Sequence, residues 1–404
     1  MRMNLLTQIL IAFIVAIILG IVVGESISVI APLGDLFLRL IKFIIAPLVL
    51  STLIIGVASI GDPQSLGRVG GKTIIYYMIT TAIAIAIGLS FAYIVSPGKG
   101  LSIDVGEVEE VEVNESEGII DTFLNIVPTN PFEALANADI LQIIFFAVFV
   151  GLAITLIGDK AKPVQTFFES FSEIMFKITD IVMRFAPIGV LGLVAPIVGE
   201  YGPSVLLPLL KVILAVAIAC IVHAIVVYSL SAKIFANMNP IVFFKGIAPA
   251  ALVAFSTASS AGTLPVTMKN TQENLGVSNK ISSFVLPLGA TINMDGTAIY
   301  QGVAVVFIAQ FYGLDLTFMQ LLTVVITTVL ASVGTAGVPG AGMIMLAMVL
   351  GAVGLPLEGI ALIAGIDRVL DMFRTTANIV GDASAAVVVA GTEGEIDRSA
   401  FEKK

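Results

Sequence analysis

Six apolar stretches, near 5–24, 33–60, 73–95, 139–158, 165–199 and 205–231, constrain this chain more than any other feature. At about 1.5 Å per residue, roughly 20 helical residues cross the ~30 Å hydrocarbon core of a bilayer. Backbone amides find no water there, so only helices or closed barrels satisfy them, and uninterrupted runs of this length select the helix. Charged residues make up only 12% of the 404 and mean hydropathy is +1.06, against about 25% charged in soluble proteins. The expected fold class is therefore an all-α polytopic membrane protein, which excludes a soluble globular enzyme. Gly and Pro are dispersed through apolar segments, which excludes a disordered chain as well. Several stretches exceed the span of a bilayer, so tilt is expected, with kinks at Pro47 and Pro187.

The single cysteine, Cys220, excludes a disulfide framework, a cysteine zinc site and an iron–sulfur cluster. The single histidine, His223, on the same apolar stretch, is expected to be a satisfied interior residue. Seven acids between Asp104 and Glu117, against Lys99, account for six of the nine net negative charges, and no basic surface suits nucleic acid. Arg2 precedes the first apolar run without a small-residue cleavage site, so that run is expected to be retained as a span. A cytoplasmic amino terminus puts Arg2, Arg68, Lys72, Lys160, Lys162, Lys233, Lys245, Lys269, Lys280, Arg398, Lys403 and Lys404 inside and only Lys99 outside. The positive-inside rule then predicts cytoplasmic termini in the plasma membrane and an external acidic loop.

Beyond residue 235 the pattern changes. Apolar residues 241–255 meet the polar run Ser256–Thr263 and return toward Lys269, and apolar 318–331 meets Ser332–Gly342 and returns through 343–353. Fifteen helical residues reach only ~22 Å, so both pieces are expected to enter and come back as re-entrant hairpins from opposite faces. Polar breaks at corresponding places in successive units mark broken helices that meet near the midplane, where an aqueous cavity supplies the missing partners.

Between the hairpins, 281–311 is interrupted at Asn293-Met294-Asp295-Gly296-Thr297, with Gly289 and Thr291 just before it. Asn and Asp oxygens with carbonyls freed near a glycine are hard donors suited to an alkali cation. In the last span, about 356–392, Asp367, Asp371, Arg374, Asn378 and Asp382 lie at about 0, 40, −20, 20 and 60° around a helix turning ~100° per residue. This polar stripe holds three acids and one Arg, a surplus of two negative charges that calls for external cations. Arg374 suits bidentate capture of a carboxylate, and Asp371 suits an ammonium.

Four ordered motifs, SSAGTLP (259–265), NMDGT (293–297), GTAGVPGAG (334–342) and DRVLDMFRTTANIVGD (367–382), resemble those of the glutamate/aspartate transporter homologues, the dicarboxylate/amino acid:cation symporters. The resemblance implies eight transmembrane helices plus two helical hairpins, inverted repeats, and a homotrimer in membrane lipid that works as an elevator. On that pattern 1–72 and 119–204 form the scaffold (helices 1–2 and 4–5). Helix 3 (73–98) and 205–392 form the transport domain. The second piece comprises helix 6, hairpin 1 at about 240–270, helix 7 at about 281–311, hairpin 2 at about 317–353 and helix 8 at about 356–392. Residues 99–118 are the external acidic loop and 393–404 a cytoplasmic tail.

The resemblance also implies an acidic amino acid held by Arg374 on its side-chain carboxylate and by Asp371 on its amino group. Thr297, Asn378, Ser260, Val338 and Gly342 would complete that pocket. It implies three sodium sites and no organic cofactor: one at Gly289, Asn293, Asn378 and Asp382, another at the carbonyls of Thr291, Ser332, Val333 and Thr335, a third at Tyr77, Thr80, Thr81, Asn293 and Asp295. One departure stands out. Archaeal relatives carry an Arg in the first hairpin where this chain has Ala258, and Arg368 appears instead.

The expected function is sodium-coupled uptake of aspartate or glutamate, with no enzymatic activity. Proton-coupled glutamate and C4-dicarboxylate symport are the alternatives, the latter disfavoured because Asp371 would repel a ligand without an amino group. An intramembrane aspartyl protease would need two facing acids, for which Asp295 and Asp371 formally qualify, but no GxGD-type motif accompanies them. A channel would leave two opposed hairpins without a role.

Overall fold

The computed structural model describes residues 5–58, 63–99, 124, 127–332 and 341–402. These fold into α1 (Leu5–Val23), α2 (Ala31–Ala58), α3 (Pro63–Val95), α4 (Pro131–Ala136), α5 (Ile140–Ile157), α6 (Lys162–Met183) and α7 (Ala186–Tyr201). There follow α8 (Leu206–His223), α9 (Ser229–Ala236), α10 (Pro240–Thr257), α11 (Ser260–Glu273), α12 (Asn279–Ile292) and α13 (Asp295–Phe311). The chain ends with α14 (Phe318–Ser332), α15 (Ala341–Ala352), α16 (Ile360–Ala364), α17 (Asp367–Glu393) and α18 (Ser399–Glu402). Among the described residues the only extended pairing is a single bridge between Val277 and Ile396.

Capping sets several of the starts. Asp139 accepts from Gln142 N ahead of α5, Asn239 from Ile241 N ahead of α10 with Pro240 in the first turn, and Ser278 from Ile281 N ahead of α12. Each satisfies an amide that no helical carbonyl can reach. Six helical stretches among the described residues are long and apolar enough to cross a membrane: Thr7–Phe37, Arg68–Val95, Gln142–Thr179, Gly202–Ala236, Pro240–Thr257 and Asn279–Phe311. The chain is an integral membrane protein. The apolar window of Asn279–Phe311 is 100% buried in the protein, against 18% for Thr7–Phe37, so the Asp295 break lies in the interior while α1 turns outward.

Three expectations need correction. The stretch 165–199 is not one span, because α6 ends at Met183 and a turn at Arg184–Phe185 separates it from α7. Pro187 therefore sits in the first turn of α7 rather than kinking a longer helix, a position where its missing N–H costs nothing. The last span is likewise divided, with a short 3₁₀ turn at Leu357–Gly359, then α16, then a break at Gly365–Ile366 where the Phe13 ring lies against Gly365. The eight-residue tip expected at 256–263 contracts to Ala258 and Ser259. Ala258 takes a left-handed φ of 49° and the Ser259 hydroxyl accepts from Gly262 N at 3.0 Å, starting α11 at once. The other tip and the acidic loop fall largely outside the described residues.

Helices α1, α2, α5, α6 and α7 pack chiefly on one another, while α3, α8, α10, α12, α13 and α17 enclose the polar stripe. At the start of α3, Arg68 Nε donates to Glu393 Oε1 at 2.9 Å and Lys72 Nζ lies 2.6 Å from the same oxygen, closing α3 onto the end of α17. Hydrogen bonds from Arg68 and then Lys72 hold the Glu393 carboxyl down to about 2. Further along, α3 crosses α13 backbone to backbone. A Cβ at Gly88 would strike the Ile299 carbonyl, and one at Gly302 would come within 2.8 Å of Leu89 N. Small residues permit such crossings where no hydrophobic force drives helices together.

This crossing generates a test with an internal control. Gly88→Leu has to separate α3 from α13 and is expected to destabilise the protein by about 1–3 kcal/mol, read as a lower melting temperature in detergent. Gly71→Leu on the same helix, where a Cβ meets nothing within 4 Å, is expected to leave the melting temperature unchanged. Equal effects would mean that helix propensity, not the crossing, governs both.

Candidate functional site

The stripe on α17 is seated as its periodicity predicts. Asp367, Asp371, Arg374, Asn378 and Asp382 are all buried, and they meet two different surroundings along the helix.

Toward the start of α17, Arg374 is 1% exposed. Its Nη1 donates to Asp367 Oδ1 at 2.9 Å, its Nη2 lies 3.0 Å from Asp371 Oδ1, and its guanidinium covers the Tyr300 ring 4.2 Å from the centroid. Arg368 Nη1 stands 3.6 Å from Asp371 Oδ2, and its Nη2 donates to the Thr257 carbonyl at 3.1 Å, tying α17 to the end of α10. Two acids thus face two arginines, and this end is locally neutral. Gly342 explains itself here: a Cβ would fall inside the Arg374 guanidinium. The Gly342 carbonyl accepts from Gln301 Nε2 at 3.1 Å. Ser260 is buried in the first turn of α11, and Val338 lies outside the described residues.

Farther along, the helix break at Asn293–Met294 faces Asn378 and Asp382. Asn293 Nδ2 donates to Asp382 Oδ1 at 2.9 Å and to the Asn378 carbonyl at 3.0 Å, while Asn378 Oδ1 accepts from Gly296 N at 2.8 Å. Asn378 Nδ2 reaches Thr297 Oγ1 at 3.5 Å and Met294 Sδ at 3.3 Å. Gly289 lies against Asp382 Oδ1 and the Tyr77 hydroxyl, which donates to the Val285 carbonyl at 3.1 Å. Asn293 Oδ1 and Asp382 Oδ2 are buried with no hydrogen-bond partner among the described residues. Orphaned acceptors at a carboxylate are costly alone and fit a hard cation.

Asp295, fully buried at the start of α13, accepts from Thr81 Oγ1 at 2.7 Å and Thr80 Oγ1 at 3.3 Å through Oδ1, and from Tyr228 Oη at 2.8 Å through Oδ2. His223 Nε2 is 3.2 Å from the same Oδ2. The Tyr77 carbonyl accepts from Thr80 at 3.3 Å. Of the expected third group, Thr80 and Thr81 meet Asp295, whereas Asn293 and the Tyr77 hydroxyl lie toward Asp382. Of the remaining expected set, Thr291 is exposed at the end of α12 and Ser332 is buried at the end of α14. Val333 and Thr335 lie outside the described residues.

With Arg368 paired to Asp371, the formal surplus on α17 falls from two negative charges to one, at Asp382, and Asp295 on α13 adds another; these two acids face an amide, hydroxyls and an imidazole ring and no arginine. Sequence reasoning missed His223 and Tyr228 on Asp295, Tyr300 beneath Arg374, and Arg368 on Asp371. Only Arg368 had left a trace, as a cation three residues from Asp371 on one helix.

A model of the sodium:dicarboxylate symporter family matches residues 5–392. The chain is 42% identical to a proton/sodium-glutamate symport protein of Geobacillus stearothermophilus, over 94% of this chain and 93% of the relative. It is 40% identical to a proton/glutamate-aspartate symporter of Escherichia coli (strain K12), over 98% and 94%. A C4-dicarboxylate transport protein of Bacillus subtilis (strain 168) is 37% identical over 98% and 95%. A match along nearly the whole chain, covering both the neutral arginine pocket and the two uncompensated carboxylates, means that this chain belongs to the sodium:dicarboxylate symporter family.

Proposed function

We propose that the chain is a secondary active symporter that takes up aspartate or glutamate together with sodium. The observation that carries this reading is the division of the buried stripe into a zwitterion-like end, Arg374 with Asp371, and an anionic end, Asp382 with Asp295. A substrate with two carboxylates and an ammonium matches the first, its distal carboxylate replacing Asp367 on Arg374 and its ammonium meeting Asp371. Sodium matches the second, where hard oxygen donors surround excess negative charge. Thr297, Asn378, Ser260, Val338 and Gly342 complete the substrate pocket. The sodium ions are assigned to three groups, at Gly289, Asn293, Asn378 and Asp382, at the carbonyls of Thr291, Ser332, Val333 and Thr335, and at Tyr77, Thr80, Thr81, Asn293 and Asp295. Substrate and sodium then raise each other's affinity by linkage.

The architecture assigned to this function has eight transmembrane helices and two re-entrant hairpins, α10–α11 and α14–α15, in inverted repeats. A homotrimer in the plasma membrane with cytoplasmic termini would use α1, α2 and α5–α7 as scaffold. The segregated packing of those helices supports this division, and the enclosed polar half would move as an elevator.

The C4-dicarboxylate reading draws support from the relatives that carry that name. The buried Asp371 beside the pocket argues against it, since a ligand without an ammonium leaves that carboxylate opposed. The deciding experiment is uptake of labelled aspartate, glutamate and succinate by proteoliposomes, with sodium and proton gradients imposed separately. Full-rate uptake on a proton gradient without sodium would overturn the sodium assignment.

Two sets of variants sharpen the result. Arg374→Cys leaves the ligand's distal carboxylate unpaired in a buried site, which costs about 3–5 kcal/mol, so aspartate binding is expected to fall at least a hundredfold. Asp371→Ala is expected to abolish amino acid binding while retaining any binding of succinate. Unchanged aspartate affinity in Arg374→Cys would make the arginine a purely structural partner of Asp367. Asp382→Asn is expected to raise the sodium concentration needed for half-maximal aspartate binding, measured by titration at fixed aspartate. An unshifted titration would remove Asp382 from the cation sites.

A further inference from the structure

We propose that His223 and Tyr228 are positioning residues for the cation site on Asp295, brought to one carboxylate oxygen by a π-helical turn between α8 and α9. This inference rests on the sodium reading above and adds two residues that the four family motifs do not contain.

The geometry begins with spacing. Residues five apart on an α-helix differ by about 140° around the axis, so His223 and Tyr228 would face different neighbours on a regular helix. The chain instead makes a π turn over Ala224–Tyr228. Its i→i+5 hydrogen bonding sets the fifth residue about one turn above the first, and such turns gather at functional positions. The two side chains therefore share a face. Their rings meet edge to face, 4.9 Å between centroids at 89°, and both polar tips reach Asp295 Oδ2, Nε2 at 3.2 Å and Oη at 2.8 Å. All three side chains are fully buried. A carboxylate oxygen only accepts, so this contact assigns the imidazole hydrogen to Nε2.

The donors on the two carboxylate oxygens differ in kind. Thr80 and Thr81, on Oδ1, carry hydroxyls that can rotate and offer lone pairs to a cation. The imidazole N–H on Oδ2 has no such freedom, and the Tyr228 hydroxyl is also engaged with the Ala377 carbonyl at 3.2 Å. The arrangement fixes Oδ2 with stiff donors and leaves Oδ1, between two threonines, as the edge presented to sodium. Tyr228, Thr80 and Thr81 hold Asp295 without the fixed positive charge of a lysine or arginine, which would cancel its attraction for the ion.

The test uses the full chain in lipid nanodiscs with His223→Leu, His223→Gln and Tyr228→Phe. Two quantities are read: the sodium concentration giving half the maximal rise in melting temperature without substrate, and that giving half-maximal aspartate binding. Losing a hydrogen bond to a charged group shifts an equilibrium by roughly tenfold or more, so His223→Leu and Tyr228→Phe are expected to need about ten times more sodium. His223→Gln, which keeps an N–H donor, is expected to stay within about threefold of the parent. Aspartate binding at saturating sodium is expected to be retained in all three. Parental sodium dependence in both His223→Leu and Tyr228→Phe overturns the proposal, as does reduced maximal binding at unshifted sodium dependence, which is the mark of a merely structural role. Should His223→Leu fail to fold, Tyr228→Phe, which loses a single oxygen, decides alone. A parent that responds to sodium in neither measurement overturns the sodium reading itself, so the two failures are distinguishable.

Discussion

Charged side chains in a low-dielectric interior are costly unless matched, and this molecule treats them in two opposite ways, around Arg374 on α17 and around Asp382 and Asp295 where α17 meets the start of α13. Around Arg374 the matching is internal, by Asp367, Asp371 and Arg368 with the Tyr300 ring beneath. Around Asp295 it is done by hydroxyls and the His223 ring, and around Asp382 only in part, because Asn293 reaches Oδ1 while Oδ2 has no partner among the described residues. The helix break at Asn293–Met294, the crossing of α3 over α13 and the close approach at Gly342 all serve to bring the required partners within reach of α17.

The separation of these two ends has an electrostatic meaning. The acids at the Arg374 end face arginine side chains, whereas Asp382 and Asp295 face an amide, hydroxyls and an imidazole. Asn378 joins them: its side chain caps Gly296 N and approaches Thr297, while its carbonyl holds Asn293 beside Asp382.

Features written in regular periodicity were legible in the sequence. The α17 stripe followed from the helical repeat, the break between α10 and α11 from polar residues between apolar runs, and the break in 281–311 from its polar residues, although the helix resumes at Asp295 and not beyond Thr297. What escaped depended on deviations from that repeat or on distant partners. The turn at Arg184–Phe185 divides a helix that carries Glu169, Glu173, Lys177 and Asp180 from an apolar one, a change of composition that the single apolar stretch 165–199 passed over. The eight-residue polar tip misled, because Ser and Thr residues joined the flanking helices once Ala258 adopted a left-handed conformation. The location of the charge surplus could not be read from α17 alone, because Arg368 lies off the stripe by one residue and still reaches Asp371. His223 was expected to be a satisfied interior residue; its Nε2 has a partner, while its buried Nδ1 has none among the described residues. The identity of that partner required a π turn that no side-chain pattern announces.

The backbone crossing of α3 and α13 has a mechanical consequence. Ordinary helix pairs are separated by side chains, which hop between rotamers and give the contact compliance. At Gly88 and Gly302 the two main chains touch directly, so their separation is set by the van der Waals radii of backbone atoms and cannot be relaxed by any torsion of a side chain. Thr80 and Thr81 lie two turns from Gly88 on one helix, and Asp295 opens the other. The spacing of the two backbones that carry the threonine oxygens and the carboxylate is thus held by main-chain contact, and only the torsions of Thr80, Thr81 and Asp295 themselves remain to adjust their hydrogen bonds.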